Sequence, residues 1–71
     1  MKHKYEIILY WSNEDKVFIG EVPELPGCMA HGKTQLSALQ NVNEAIDLWI
    51  DTAKDMGTPV PTPKGRRLML A

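Results

Sequence analysis

The residues that could carry out chemistry in this sequence are few. His31 is the only internal histidine, and Cys28 stands three residues before it. A histidine that acts as a general base needs an orienting carboxylate and a substrate cleft, and no such pairing is visible in the sequence. A zinc site needs at least three protein ligands, so these two residues do not form one. We therefore expect Cys28 to pack as a small apolar side chain and His31 to lie at a strand end.

Four acids form the other candidate cluster. Glu44, Asp47, Asp51 and Asp55 recur three or four positions apart along a predicted helix. Metal-dependent nucleases also use several carboxylates, but those converge in a cleft from different elements. A row opposite the apolar residues of a helix should instead face water or a basic partner. Because no glycine pattern resembles a phosphate-binding loop either, we expect no enzymatic activity, no cofactor and no metal site.

The composition fits a single small domain over residues 1–71. A chain of 71 residues buries only ~60% of the surface that its unfolded form exposes, so a partner or a second copy would add stability. An apolar content of 44% with a formal net charge of −1 argues against disorder. No run approaches the ~18 apolar residues of a membrane span, and a single cysteine cannot form an internal disulfide. We expect a cytoplasmic protein that binds no membrane.

Charge is distributed unevenly along the chain. Residues 1–57 hold nine acids and five bases, whereas residues 58–71 hold three bases and no acid. An acidic body repels nucleic acid and attracts basic protein surfaces. Ordinary solubilising charge would give the same pattern without any partner, so both interpretations stay open.

Residues 4–11 alternate as a half-buried strand does. One face carries Tyr5, Ile7, Leu9 and Trp11. This mixture of aromatic and branched side chains is typical of a core and not of an RNA-binding sheet. A second strand over residues 16–22 follows a run of turn formers, so the two strands should form an antiparallel hairpin.

The segment 23–27 must interrupt the strand pairing, because it contains two prolines without an N–H group. Pro26 and Gly27 suit the central positions of a type II turn. A short third strand is predicted over residues 28–31.

One amphipathic helix should cover this sheet. Residues 35–56 place apolar side chains three or four positions apart, Thr34 is a good N-cap, and Gly57 is the expected C-terminal stop. The predicted fold is α+β, with an antiparallel sheet of three or four strands and the helix on one face. The predicted core contains Tyr5, Ile7, Leu9, Leu39, Val42, Ile46, Trp49 and Ala53.

After the helix, residues 59–63 favour an extended, polyproline-like arm. Residues 68–70 then form either a short last strand or a frayed tail.

Several segments together resemble one known family. They are Glu21-Val22-Pro23-Glu24-Leu25-Pro26-Gly27-Cys28, His31-Gly32-Lys33-Thr34, the helix around residues 38–46, and Gly57-Thr58-Pro59-Val60-Pro61. A Pro-x-Leu-Pro-Gly-Cys element at a strand end, followed by Gly-x-Thr, is fairly specific. Over residues 5–63 the chain is similar to the HicB-like antitoxin family.

The resemblance implies a partial ribonuclease H-like β-β-β-α-β fold without the nuclease carboxylates. It also implies a function, because members of the family bind HicA-type toxins and mask their active surface. These toxins are small basic ribonucleases that cleave messenger RNA with a histidine.

There are two departures from the family pattern. Ser37 replaces the usual acidic residue in the first helical turn, so we expect the capping box with Thr34 to be lost. Many members also carry a C-terminal DNA-binding domain, for which the residues up to Ala71 leave no room, so we expect no direct DNA binding.

The predicted partner-binding residues lie between the second and third strands. They are Glu21, Pro23, Glu24, Leu25, Pro26 and Gly27. Two prolines stiffen this segment, so its acids and Leu25 would dock on a HicA-like ribonuclease with little loss of entropy. In the alternative, the protein is a solitary homo-oligomer with a structural or small-ligand-binding role, and the segment only connects strands.

A dimer or larger assembly is expected for either function. Ile8 and Tyr10 fall on the strand face away from the helix and join Phe18 or Ile19 as apolar side chains without an obvious cover. A small domain gains most by burying such a patch against a copy of itself.

Overall fold

A computed structural model describes residues 3–64 of the chain. These residues form three strands and one helix, in the order β1 (Ile8–Ser12), β2 (Val17–Glu21), β3 (Met29–Gly32) and α1 (Gln35–Asp55). The strands make one antiparallel sheet in the order β1-β2-β3, and α1 packs on one of its faces. The α+β prediction is therefore confirmed, whereas the predicted last strand at 68–70 lies outside the described residues.

The β1–β2 hairpin is closed by a short turn in which the Lys16 N–H donates to the Ser12 carbonyl at 2.8 Å. β1 begins four residues later than predicted. Its register with β2 starts at the pair Ile8 and Glu21. Beyond that pair β2 cannot extend far, because Pro23 has no N–H to continue the ladder.

The strand register separates the sheet into two faces. The inner face carries the aligned row Leu9, Gly20 and Ala30. A side chain at Gly20 would contact Val42 of α1, so this face packs against the helix. The outer face, which points away from α1, carries the neighbouring row Tyr10, Ile19 and His31.

α1 begins with a complete capping box. The Thr34 hydroxyl accepts a hydrogen bond from the Ser37 N–H at 3.0 Å, and the Ser37 hydroxyl accepts one from the Thr34 N–H at 3.0 Å. The prediction that Ser37 loses the capping box is wrong, because the short serine side chain still reaches the N-cap amide. The helix ends at Asp55, and Gly57 follows with a φ of 70°, which agrees with the predicted stop signal.

The core lies between the inner face, α1 and the segment that joins β2 to β3. Its buried apolar residues are Tyr5, Val22, Leu25, Cys28, Ala38, Val42, Ile46 and Ala53. Four of these were predicted from sequence: Tyr5, Val42, Ile46 and Ala53. The other predicted core residues are partly buried: Ile7, Leu9, Leu39 and Trp49. Cys28 packs as a small apolar group, as predicted.

Trp11 does not belong to the core, which corrects the sequence interpretation. Its side chain is 48% exposed and packs edge-on against Phe18, with ring centroids 5.1 Å apart. The reason is that α1 packs mainly against β3 and least against β1. The helix therefore leaves the far end of β1 uncovered.

Gly32 is required by the close approach of β3 to the start of α1. A Cβ atom at this position would lie 2.3 Å from the Ser37 hydroxyl oxygen and 2.5 Å from the Ala38 amide nitrogen. We expect Gly32→Ala to lower the free energy of unfolding by about 2 kcal/mol, because the backbone of α1 must shift. Urea denaturation measures this change.

Lys33→Ala is the matched control, since Lys33 is the exposed neighbour of Gly32. It should alter the free energy of unfolding by no more than about 0.5 kcal/mol. Equal stabilities for the two variants would show that the β3–α1 contact is looser than the structure indicates.

Candidate partner-binding site

The candidate site is built on the segment between β2 and β3, residues 22–28, which we call the proline loop. Three backbone hydrogen bonds close it. The Leu25 N–H donates to the Val22 carbonyl at 3.1 Å, the Cys28 N–H to the Leu25 carbonyl at 2.9 Å, and the Val22 N–H to the Cys28 carbonyl at 3.0 Å. Gly27 has a φ of 78° after Pro26, which agrees with the predicted type II turn.

Leu25 lies inside the core and not on the surface of the proline loop. Its side chain is 0% exposed and belongs to the same buried cluster as Val42 and Ile46 of α1. The prediction that Leu25 contacts a partner is therefore wrong, because the two turns direct its side chain inward. Burying a leucine side chain contributes about 1.5–3 kcal/mol, so Leu25 instead fixes the loop to the body of the protein.

Trp49 makes the second connection between the proline loop and α1. Its indole N–H donates to the Pro26 carbonyl at 3.0 Å, while its ring packs half-buried against the core. The sequence placed Trp49 in the apolar stripe of the helix but did not reveal its polar contact. The available signal was the indole N–H itself, which usually finds an acceptor when the ring is buried.

Glu21 is the acid of the predicted site that lies on the outer face. It ends β2, is half-buried, and accepts a hydrogen bond from the Tyr10 hydroxyl at 2.9 Å. This bond to the carboxylate raises the pKa of Tyr10 above its ordinary value. The contact holds the Glu21 carboxylate on the outer face, beside the exposed prolines of the loop.

Glu24 points toward the arm that follows α1. One of its carboxylate oxygens accepts a hydrogen bond from the Lys64 N–H at 2.8 Å, and the other is buried without a hydrogen-bond partner among residues 3–64. Burial and the nearby Glu24 charge raise the pKa of Tyr5, whose hydroxyl donates to the Pro61 carbonyl. Glu24 therefore belongs to the contact between the arm and the body.

Four predicted residues consequently share the accessible surface of the site: Glu21, Pro23, Pro26 and Gly27. A shallow depression of about 180 Å³ lies among them. The arrangement presents one carboxylate and a rigid apolar rim, which suits contact with another macromolecule.

The residues considered for catalysis are dispersed. Cys28 is buried, and that burial raises the pKa of its thiol. His31 is exposed on the outer face, and its backbone carbonyl accepts a hydrogen bond from the Asn41 side-chain amide at 2.7 Å. Within residues 3–64, no group of three His, Cys, Asp or Glu side chains is placed to hold a metal ion.

The acidic row of α1 is only partly solvent-facing. Asp47 lies 2.7 Å from the His3 imidazole, so it contacts the segment that precedes β1. Glu44, Asp51 and Asp55 are exposed, as expected. In the part of the chain that the structure describes, no helix is long and apolar enough to span a membrane.

Comparison with known proteins places the chain in a family. A family model described as UPF0150-like matches residues 2–61. The UPF0150 protein Ta0767 of Thermoplasma acidophilum is 40% identical over 58 residues, which cover 82% of this chain and 83% of the relative. The UPF0150 protein ssl0259 of Synechocystis is 34% identical over 58 residues, covering 82% and 78%. No solved structure gives a significant match. The chain therefore belongs to the UPF0150-like family.

Proposed function

We propose that this protein is a HicB-like antitoxin that acts in the cytoplasm. It binds a small basic ribonuclease of the HicA type and masks the surface with which that enzyme holds RNA. The observation that carries the proposal is the proline loop, an exposed segment that is fixed to the core in the free protein and adjoins the carboxylate of Glu21.

The first support is the order of the loop before binding. Leu25 is buried beneath it, Trp49 donates to the Pro26 carbonyl, and three backbone hydrogen bonds close it. Ordering a flexible segment at an interface lowers affinity, because conformational entropy is lost at that moment. A loop that is already ordered avoids most of this loss.

The second support is charge. Residues 3–64 contain nine acids and five bases, so the described body is acidic. A ribonuclease surface that binds phosphates is basic, and opposite charges accelerate the encounter of two proteins. Masking by direct contact requires no catalytic step from this chain, so we propose a binding protein and not an enzyme.

Glu21→Lys tests the contact surface. The protein encoded by the reading frame adjacent to this one is the partner to purify, and biolayer interferometry gives both rate constants. We expect Glu21→Lys to weaken binding about tenfold, equivalent to about 1.4 kcal/mol, with a slower association rate. The association rate of the unchanged protein should also fall as salt is added.

Glu14→Lys is the matched control for charge. Glu14 is exposed in the β1–β2 turn, at the end of the sheet opposite the proline loop. Equal weakening by both substitutions would mean that only net charge matters and that the loop is not the contact surface. Absence of any binding by the unchanged protein would refute the antitoxin function itself.

A second candidate function is that of a solitary homo-oligomeric module with a structural or small-ligand-binding role. The outer face of the sheet favours it, because Ile8, Tyr10 and Met29 are exposed there and Ile19 is only half-buried. A contiguous apolar surface on a small protein is typical of an interface. Glu21 lies between Ile8 and Met29 in the strand register, so a dimer that buries this row would also cover the contact surface proposed for the toxin.

Light scattering at high micromolar concentration tests self-association through the outer face. We expect a dimer or larger assembly for the unchanged protein and a monomer for Ile8→Glu, because a charge replaces an apolar contact at the interface. Leu36→Glu makes the same change at an exposed site on α1 and should leave the assembly intact. A monomer for the unchanged protein would contradict the prediction.

A further inference from the structure

A second apolar surface lies between β3 and α1, on the other side of the proline loop from Glu21. It is an open groove of about 450 Å³, which we call the helix groove. Its lining includes Cys28, Met29, Leu48, Trp49 and Met56. The groove begins at Gly27 of the proline loop and follows α1 toward its C-terminus.

The floor of the helix groove is unusually apolar for an exposed surface. Met29, Leu48 and Met56 are 49%, 68% and 75% exposed, and Trp49, which packs against the core, also lines the groove. Methionine side chains adapt to the shape of a bound apolar surface. Three exposed large side chains on one short groove indicate a binding surface and not scattered exposure.

An acidic row borders the groove along α1. Three exposed acids share the side of the helix on which Leu48 lies. Glu44 is four residues before Leu48, Asp51 is three residues after it, and Asp55 is seven residues after it. The C-terminal end of α1 adds negative partial charge at the same end. Among residues 3–64, no lysine or arginine lines the groove, and the one base close to the acids is Lys54, three residues after Asp51. An occupant should therefore be basic.

The charge disfavours a second copy of this chain as the symmetric occupant. Two copies packed groove to groove would bring two rows of Glu44, Asp51 and Asp55 together. Exposed like charges repel each other where they approach to within a Debye length, about 8 Å at physiological ionic strength. Self-association is better served by the outer face, whose exposed side chains are mainly apolar.

The open edge of β3 is better suited to an occupant that binds as a helix than to one that extends the sheet as a fourth strand. The hydrogen bond from the Val22 N–H to the Cys28 carbonyl shows which residues of β3 turn their backbone groups toward β2. By alternation along the strand, the N–H and carbonyl groups of Met29 and His31 point to the open edge. The His31 carbonyl is already occupied by the Asn41 amide at 2.7 Å. An added strand would have to share that acceptor with the Asn41 side chain or displace it.

We propose that the helix groove binds a basic amphipathic helix of the partner protein. The apolar face of that helix packs on Leu48, Trp49 and Met56, and its lysines or arginines face Asp51 and Asp55, in the groove-binding mode in which residues at i, i+3, i+4 and i+7 make the contact. The identification of the partner as a HicA-type ribonuclease rests on the proposed function. The chemistry of the occupant rests on the groove alone.

The test uses the full chain with Trp11→Phe, which leaves Trp49 as the only tryptophan. The probe is a synthetic amphipathic helix of leucine and lysine, and its control is a scrambled peptide of the same composition. We expect the amphipathic peptide, but not the scrambled one, to shift the Trp49 fluorescence to shorter wavelength. The double substitution Leu48→Ser and Met56→Ser should weaken peptide binding at least tenfold, because these side chains form the apolar contact.

Two further variants separate the contribution of the apolar groove from that of the acids beside it. Leu36→Ser removes an exposed apolar side chain from α1 outside the groove and should leave the affinity unchanged. Asp51→Asn with Asp55→Asn should reduce both the affinity and its dependence on salt. Equal affinity of the groove variant and the unchanged protein for the peptide would overturn the proposal. So would a dimer that dissociates on substitution of Leu48 and Met56, since the occupant would then be a second copy.

The same variants, measured against the product of the adjacent reading frame, distinguish this inference from the proposed function. Peptide binding without binding of that protein would retain the groove and reject the antitoxin function. Binding of that protein with equal affinity for the groove variant would retain the function and reject the groove as its contact.

Discussion

The burial of Leu25 beneath the proline loop is the interaction on which the rest of the structure depends. A segment with two prolines cannot continue the strand ladder, so it needs another connection to the body. The fully buried Leu25 side chain supplies that connection by packing with Val42 and Ile46 of α1. The hydrogen bond from Trp49 to the Pro26 carbonyl adds a polar contact between the same two elements. β2, β3 and α1 are therefore held together at the end of the sheet where the exposed surfaces meet.

Two exposed surfaces flank the proline loop. Glu21 and the outer face lie on one side of it, and the helix groove with its acidic row lies on the other. Met29 borders both the groove and the outer face, because it is the first residue of an edge strand. A basic protein that reached the loop could thus contact carboxylates and apolar side chains on both sides.

The sequence predicts the regular elements well, because each has a period that can be read from side-chain type. The helix over 35–55 and the two faces of the hairpin follow from such patterns. The loop has no period, so its sequence could not reveal that Leu25 points inward while Pro23 stays exposed. Trp11 was misplaced because strand alternation assigns a face but not the part of that face that a helix covers. The hydrogen bond between the Lys64 amide and Glu24 could not be predicted, because the two residues are distant in sequence.

Hydrogen exchange of the free protein tests the central claim, the order of the proline loop before binding, most directly. The amides of Val22, Leu25 and Cys28 each donate to a carbonyl of the same loop. If Leu25 fixes the loop to the core, these amides should exchange at least ~100-fold more slowly than in an unstructured peptide, at rates close to those of the hydrogen-bonded amides of β2. Exchange at the rate of an unstructured peptide, with β2 still protected, would show that the loop is not ordered by the core and would contradict this account.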